Sequence, residues 1–176
     1  GNKKPEFGFG FNGGGNRFNN FVNGEKAITR SFNINIETSF GIENEEKFDF
    51  AIRPRLGYNH SRSSFSSVVN NNYWTYGGRV DVEVTLPWKM ELTTNLNADL
   101  RQRIQAFASN VNLVVWNAGI SKKIFKKDAG KIGLYANDIL NDNKGFTRTI
   151  NSTFITDDRY EKISRYFLVK FEWSFN

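Results

Sequence analysis

A chain of 176 residues, 39% of them hydrophobic and 15% aromatic, suits one domain and has no stretch near the roughly 20 apolar residues that a membrane helix needs. It contains no cysteine, which excludes a disulfide framework, thiolate chemistry and a thiolate metal site. Its formal net charge is +6, but because basic and acidic residues are interleaved, we expect no nucleic-acid partner.

Apolar and polar residues alternate along most of the chain, and turn-forming residues separate the alternating runs. This pattern predicts about eight β-strands. The first four are predicted near Pro5–Asn16, Thr29–Ile42, Lys47–Ser61 and Trp74–Leu86, with the serine- and asparagine-rich run RSSFSSVVNNN before the fourth. Pro87 then predicts a tight connection.

The second half of the chain continues the same alternation. A fifth strand is predicted near Trp88–Gln102, a sixth near Asn110–Ile124 and a seventh near Lys131–Leu140. The run at Asn141–Glu161 is polar and is interpreted as a long loop. The last twelve residues, RYFLVKFEWSFN, are predicted to form the closing strand. Alternation puts five apolar residues on one face, Phe167, Val169, Phe171, Trp173 and Phe175, and a mostly polar set on the other, Tyr166, Leu168, Lys170, Glu172 and Ser174.

The polar face of these strands carries charges of both signs, which a soluble barrel would not place in its interior. We therefore predict that this face lines a lumen and that the apolar face meets lipid. Aromatic residues near the strand ends, such as Trp74 and Trp88, fit the girdles of a membrane barrel. The predicted lumen-facing charges are Arg53, Arg55, Arg79, Asp81, Glu83, Glu91, Asp99, Arg101, Lys170 and Glu172.

The connections between strands alternate in length, as they do in an up-and-down membrane barrel. The turns NEEK, PW and FKKDAGK are short, whereas the links around Asn23, Ser64, Phe107 and Lys144 are longer or more polar. The predicted strands also exceed the usual five or six residues of globular sheets. The fold class is therefore all-β, an antiparallel up-and-down transmembrane barrel forming one domain over residues 1–176.

No residue pattern indicates catalysis or a cofactor. The single histidine, His60, is followed by a serine, but strand neighbours point to opposite faces, so we interpret it as a loop residue rather than a catalytic base. The run FNGGGNRF lacks the lysine and the helix of a phosphate-binding loop. We expect no enzymatic activity, no metal and no cofactor.

From Trp116 onward, the runs WNAGISKK, YANDILN with GFTRT, and RYFLVKFEWSF resemble the C-terminal barrel strands of TonB-dependent outer-membrane receptors. The resemblance implies localisation in the outer membrane and, for a whole receptor, energised uptake of a siderophore, an oligosaccharide or a similar large solute. It also implies that the lipid bilayer, the barrel-assembly machinery and a parent receptor's plug and remaining barrel are partners. Phe171, Trp173 and Phe175 would form the terminal assembly signal, although Asn176 stands where the family ends in an aromatic residue.

Three hypotheses follow from the sequence. The first is the C-terminal part of a roughly 22-stranded receptor barrel. The second is a self-standing eight-stranded outer-membrane barrel with a structural, adhesive or loop-binding role, and the third is a soluble β-sandwich or barrel that binds a ligand. Because eight strands can close in a membrane, we predict that the strand containing Phe9 pairs with the strand containing Phe171.

Overall fold

The computed structural model describes residues 5–44, 47–64, 71–104, 112–150 and 155–175. Within these ranges the chain forms ten β-strands: β1 (Pro5–Val22), β2 (Glu25–Ile42), β3 (Phe48–Ser63), β4 (Asn71–Leu86), β5 (Met90–Arg101), β6 (Leu113–Ile124), β7 (Gly130–Asn137), β8 (Gly145–Ile150), β9 (Ile155–Tyr160) and β10 (Tyr166–Trp173). Short turns at Pro87–Lys89 and Lys126–Asp128 connect β4 to β5 and β6 to β7, and each contains two residues with positive φ. The described residues contain no helix that is long and apolar enough to span a membrane.

Eight of the strands form one sheet in the order β1-β2-β3-β4-β5-β6-β7-β10, and each pairs antiparallel with its neighbours. Strands β8 and β9 form a separate hairpin that interrupts the chain between β7 and β10. Apart from this excursion, consecutive strands are neighbours in space. The prediction of an all-β, antiparallel, up-and-down sheet is confirmed.

The link around Asn23 is short, so the prediction of a longer connection at this place is wrong. Strand β1 continues through the glycine run to Val22, and β2 begins at Glu25. Asn23 and Gly24 both have positive φ, 52° and 83°. An Asn-Gly pair with two positive φ angles forms the two-residue hairpin turn that matches the twist of the flanking strands.

The interpretation of residues 141–161 as a loop is also wrong, because this segment contains the β8–β9 hairpin. The register pairs Gly145 with Tyr160 and Thr147 with Asp158. The pattern hides these strands because threonine, aspartate and asparagine are abundant in this segment and no continuous apolar face is present. The residues between the two strands lie outside the described ranges.

The sheet is open, and the prediction that the strand containing Phe9 pairs with the strand containing Phe171 is wrong for this structure. Strands β1 and β10 form the two edges of the sheet, and no ladder joins their described residues. Their lengths explain the failure, because β1 has 18 residues and β10 has 8. A ladder between them would leave most of the β1 edge unpaired.

The register builds one continuous apolar face across the strands. One cross-strand row runs from Phe11 through Ile36, Leu56 and Tyr76 to Leu100, each directly opposite the next. Phe11 is 64% exposed and Leu56 45% exposed. Ala27 is the one buried hydrophobic residue among those described, so this sheet does not fold around an apolar core.

Aromatic side chains form rows near both ends of the apolar face. Towards the end that carries the Asn23–Gly24 turn, the Tyr58 ring lies 5.8 Å from the Phe32 ring and 4.9 Å from the Trp74 ring. Towards the other end, the Phe40 ring lies 5.0 Å from Phe7 and 6.3 Å from Phe50. Two aromatic rows that flank an apolar band are typical of the interfacial girdles of membrane barrels.

Two glycines allow β4 to pass closely between its neighbours. A Cβ atom added to Gly78 would lie 2.5 Å from the Arg53 carbonyl oxygen, and one added to Gly77 would overlap the backbone of Ala98. Any larger residue would push β3 or β5 away. Gly77 lies between Arg55 of β3 and Asp99 of β5 in the register, so no β4 side chain separates these two residues.

Candidate functional site: the charged face of the sheet

The face opposite the apolar one collects the charged residues of the strands. In the register, Arg53 lies opposite Arg79, and Asp49 lies opposite Glu83. All ten residues predicted to face a lumen lie on this face: Arg53, Arg55, Arg79, Asp81, Glu83, Glu91, Asp99, Arg101, Lys170 and Glu172. That this face encloses an aqueous lumen stays a prediction.

Asp81 joins two arginines that would otherwise repel each other. Arg53 and Arg79 are direct cross-strand neighbours, and like charges in this position are destabilising. Arg79 binds Asp81 with both its Nε and Nη2 atoms at 2.8 Å, and Arg53 Nη1 lies 2.9 Å from Asp81 Oδ2. Asn95 also donates to Asp81 Oδ1 at 2.6 Å. Four donor nitrogens from three side chains are thus fixed around one carboxylate.

Glu91 has the same role for two lysines near the end of the sheet that carries the turns Pro87–Lys89 and Lys126–Asp128. This end is called the short-turn end below. Lys123 and Lys131 lie directly opposite each other on β6 and β7. The Lys123 ammonium lies 2.8 Å from Glu91 Oε1, Lys131 binds Oε2, and Ser121 donates to Oε2 at 3.4 Å. Glu91 is only 8% exposed, so this carboxylate has exchanged most of its water for protein partners.

One groove on this face holds about 450 Å³, and most of its charged residues are acidic. Its lining includes the carboxylates of Glu6, Glu43, Asp49, Asp81 and Glu83, whereas Arg53 is its one cationic residue. Thr93, Asn95, Asn117 and Tyr135 add neutral hydrogen-bonding groups. The carboxylates and neutral hydrogen-bonding groups of this lining can bind cations or polyhydroxylated solutes.

A second groove of about 370 Å³ lies nearer the opposite end of the sheet, which carries the Asn23–Gly24 turn. Arg55 binds Asp99 there at 2.6 Å, and Asn97 donates to the second oxygen of Asp99 at 3.1 Å. Phe146 of β8 lines the same groove. The hairpin that the sequence did not predict therefore reaches the charged face.

His60 lies within β3 rather than in a loop, which corrects the sequence-based interpretation. Its ring is on the apolar face, 5.2 Å from the Phe32 ring, and its Nδ1 lies 2.6 Å from Asn72 Oδ1. Ser61 follows it on the opposite face. The residues directly opposite His60 are Phe32 and Asn72, neither of which has a hydroxyl group, and the Ser61 hydroxyl points to the other face.

Asp138 fixes the segment that follows β7. The sequence analysis did not predict a role for this residue. It is 4% exposed. Its Oδ1 accepts from the Asp142 backbone at 3.0 Å and its Oδ2 from the Asn143 backbone at 3.1 Å, while its own amide donates to Asn117 Oδ1 at 2.8 Å. Aspartates that bind nearby amides are typical of tight turns, and that was the available signal in NDILNDN.

The same segment bridges β6 and the start of β10. The Val114 amide donates to Asp142 Oδ2 at 3.0 Å, and the Ile139 amide donates to the Trp116 carbonyl at 2.7 Å. The Arg165 amide donates to Asn141 Oδ1 at 3.1 Å. The hydrogen bond from the Lys144 ammonium holds the pKa of the Asp142 carboxyl below its usual range. The contact between Asp142 and Lys144 is therefore present at neutral pH and is lost as the pH falls through that lowered pKa.

Replacing Asp138 with alanine is expected to open residues 138–144 without unfolding the sheet. Two backbone amides lose a charged acceptor, which corresponds to about 1–2 kcal/mol of local stability. Hydrogen exchange should accelerate roughly tenfold at Asp142 and Asn143. Exchange in the middle of β3 should not change, and a uniform acceleration over the whole sheet would contradict a local role.

A family model for the outer membrane protein beta-barrel family matches residues 11–173 of the chain. The match spans the sheet from β1 to the last residue of β10. No curated protein and no solved structure matches the chain.

Proposed function

Because the chain belongs to the outer membrane protein beta-barrel family, we propose that it forms the C-terminal strands of a TonB-dependent receptor that takes up a large solute. The open sheet carries this proposal. Both edge strands present unpaired backbone groups, and each such group costs several kcal/mol in hydrocarbon. Further strands on both sides would satisfy them, as in a roughly 22-stranded barrel.

The orientation of the two faces supports the same proposal. A receptor barrel meets the outer-membrane bilayer with its apolar face and surrounds solute and plug with its polar face. Here exposed rings such as Phe9 and Phe167 cover one face, at 73% and 77% exposure, and fixed ion pairs cover the other. The groove chemistry suits a polyhydroxylated or cationic solute, which includes oligosaccharides. In this function the charged face binds and guides solute and carries out no chemical reaction.

The neighbours of the two edges distinguish a receptor from a self-closing eight-stranded barrel. The 176 residues contain no cysteine, so Gly10→Cys can be combined with single cysteines at positions 167–171 of β10 once any cysteine elsewhere in the full protein is replaced by serine. Disulfides require Cα atoms within about 7 Å. In the full protein, expressed in outer membranes, we expect no cross-link in any pair, because the two strands belong to distant parts of the barrel. Efficient cross-linking in one register would instead establish the self-closing barrel.

Energised uptake is tested separately in cells with and without the gene. Siderophores and oligosaccharides are the first solute classes to compare, and a protonophore should abolish gene-dependent uptake. Gene-dependent uptake that survives the protonophore would indicate a passive channel and would contradict the proposed receptor.

Phe175→Ala is expected to reduce assembly in cells more than it reduces stability. Phe175 is 90% exposed and lies beyond the end of β10, with its ring 6.2 Å from the Trp173 ring. Little burial is lost, so unfolding in detergent should change by less than about 1 kcal/mol. If Phe171, Trp173 and Phe175 form the signal for the assembly machinery, the outer-membrane yield should fall several-fold.

Phe167→Ala is the matched control for this experiment, because Phe167 is 77% exposed on the same strand but near its other end. Its yield in the outer membrane should stay close to that of the unchanged protein. Equal losses for both variants, or a refolding defect as large as the loss of yield, would contradict a terminal assembly signal.

A further inference from the structure

Lysines and exposed aromatic residues lie next to each other in the two turns at one end of the apolar face, Pro87–Lys89 and Lys126–Asp128. We define this basic rim as Lys122, Lys126 and Lys127 together with Trp88, Phe125 and Trp173. The two turns that carry most of it are joined by an ion pair, in which Lys89 Nζ lies 2.6 Å from Asp128 Oδ1. The rim is therefore one surface rather than two independent turns.

Lys122 lies on the face that meets lipid, although it is charged. In the register it is flanked by Met90 on β5 and Ile132 on β7, and its side chain is exposed. No ion pair joins Lys122, Lys126 or Lys127 to any residue in the described part of the chain. The neighbouring Lys123 and Lys131 are different, because both bind Glu91 on the charged face. The rim thus lacks an anionic partner within the described structure.

The backbone of Phe125 is arranged so that its ring joins the rim. Strict alternation after Ile124 would place Phe125 on the charged face. Its φ of 66° and ψ of 173° are strained for a residue other than glycine, and they turn the ring towards the apolar face. There it lies 4.8 Å from the Trp173 ring and covers Gly130, where an added Cβ would overlap it.

We propose that the basic rim binds the headgroup of an anionic phospholipid. The three ammonium groups would donate to phosphate oxygens while the acyl chains lie along the apolar strands above. Exposed tryptophan and phenylalanine side chains occupy this interfacial level in membrane proteins, and lysines beside a membrane surface attract anionic lipids. The inference rests on membership of the outer-membrane barrel family and is independent of the proposed uptake.

Native mass spectrometry of the full protein in detergent tests this site. The protein is titrated with phosphatidylglycerol or with phosphatidylcholine of the same acyl chains, and the ratio of the two association constants is measured. We expect at least about fivefold preference for phosphatidylglycerol. The combined variant Lys122→Gln, Lys126→Gln, Lys127→Gln should reduce the preference to less than about twofold.

The combined variant Lys26→Gln, Arg30→Gln, Arg62→Gln removes the same charge at the opposite end of the sheet and should keep the preference. Equal losses in the two variants would show a general effect of net charge and would overturn the site, as would an unchanged protein without preference. A preference abolished by inorganic phosphate at constant ionic strength would indicate a free-anion site instead. If the triple variant does not fold, Lys122→Gln alone decides, with at least a twofold loss expected.

Discussion

An arginine at Val82 is expected to lower the free energy of unfolding by about 2–4 kcal/mol, whereas an arginine at Thr85 on the same strand should lower it by less than about 1 kcal/mol. Val82 lies on the apolar face, opposite Phe50 and Thr94. Thr85 is exposed on the charged face, opposite Glu91, where an arginine side chain reaches water. Lipid thus penalises charge on one face only.

The pair Ile36→Arg and Asn35→Arg repeats the comparison on β2. Ile36 is in the apolar row with Phe11 and Leu56, and Asn35 lines the smaller groove of the charged face. Each variant is unfolded reversibly with urea in the presence of lipid vesicles, and the free energies are compared within each pair. Equal losses within both pairs would contradict an apolar face in contact with lipid.

The closing strand illustrates why the two faces could be predicted from the sequence. In β10 every second residue from Phe167 to Trp173 is apolar, and a period of two fixes the facing of each side chain once the segment is extended. The same rule places all ten predicted charges on one face, and the register also puts them on one face. It did not give the end of β1, because Gly13–Gly15 have no side chains that alternate.

The contacts between strands could not be predicted in this way. Arg55 and Asp99 are 44 positions apart, and they meet across β4 at Gly77, which lies between them in the register and has no side chain. Alternation places Phe125 on the charged face. Its ring lies on the apolar face instead because its φ angle is positive. Whether β1 pairs with β10 could not be predicted from the sequence either. It depends on the lengths of these two strands, 18 and 8 residues, and those lengths are known only when every turn has been located.

Replacing Glu91 with glutamine is expected to destabilise the sheet by about 2–3 kcal/mol. The substitution keeps the shape of the side chain but leaves Lys123 and Lys131 facing each other without a counter-charge. Removing one member of a fully buried ion pair costs about 3–5 kcal/mol. The value here is smaller because the lysine side chains are 44% and 32% exposed and water screens part of the repulsion. Urea unfolding in lipid measures the loss.

A second substitution separates charge repulsion from a simple packing defect. Lys131→Met in the Glu91→Gln background removes one of the two facing ammonium groups, so it should restore about half of the lost stability. Glu83→Gln is the matched control, because Glu83 lies on the same face but opposite another acid, Asp49, and forms no ion pair with a described residue. Removing its charge relieves repulsion, and its stability should stay within about 0.5 kcal/mol of the unchanged protein or rise. A loss as large as that of Glu91→Gln would mean that any acid on this face is required, and that the two lysines are not the reason.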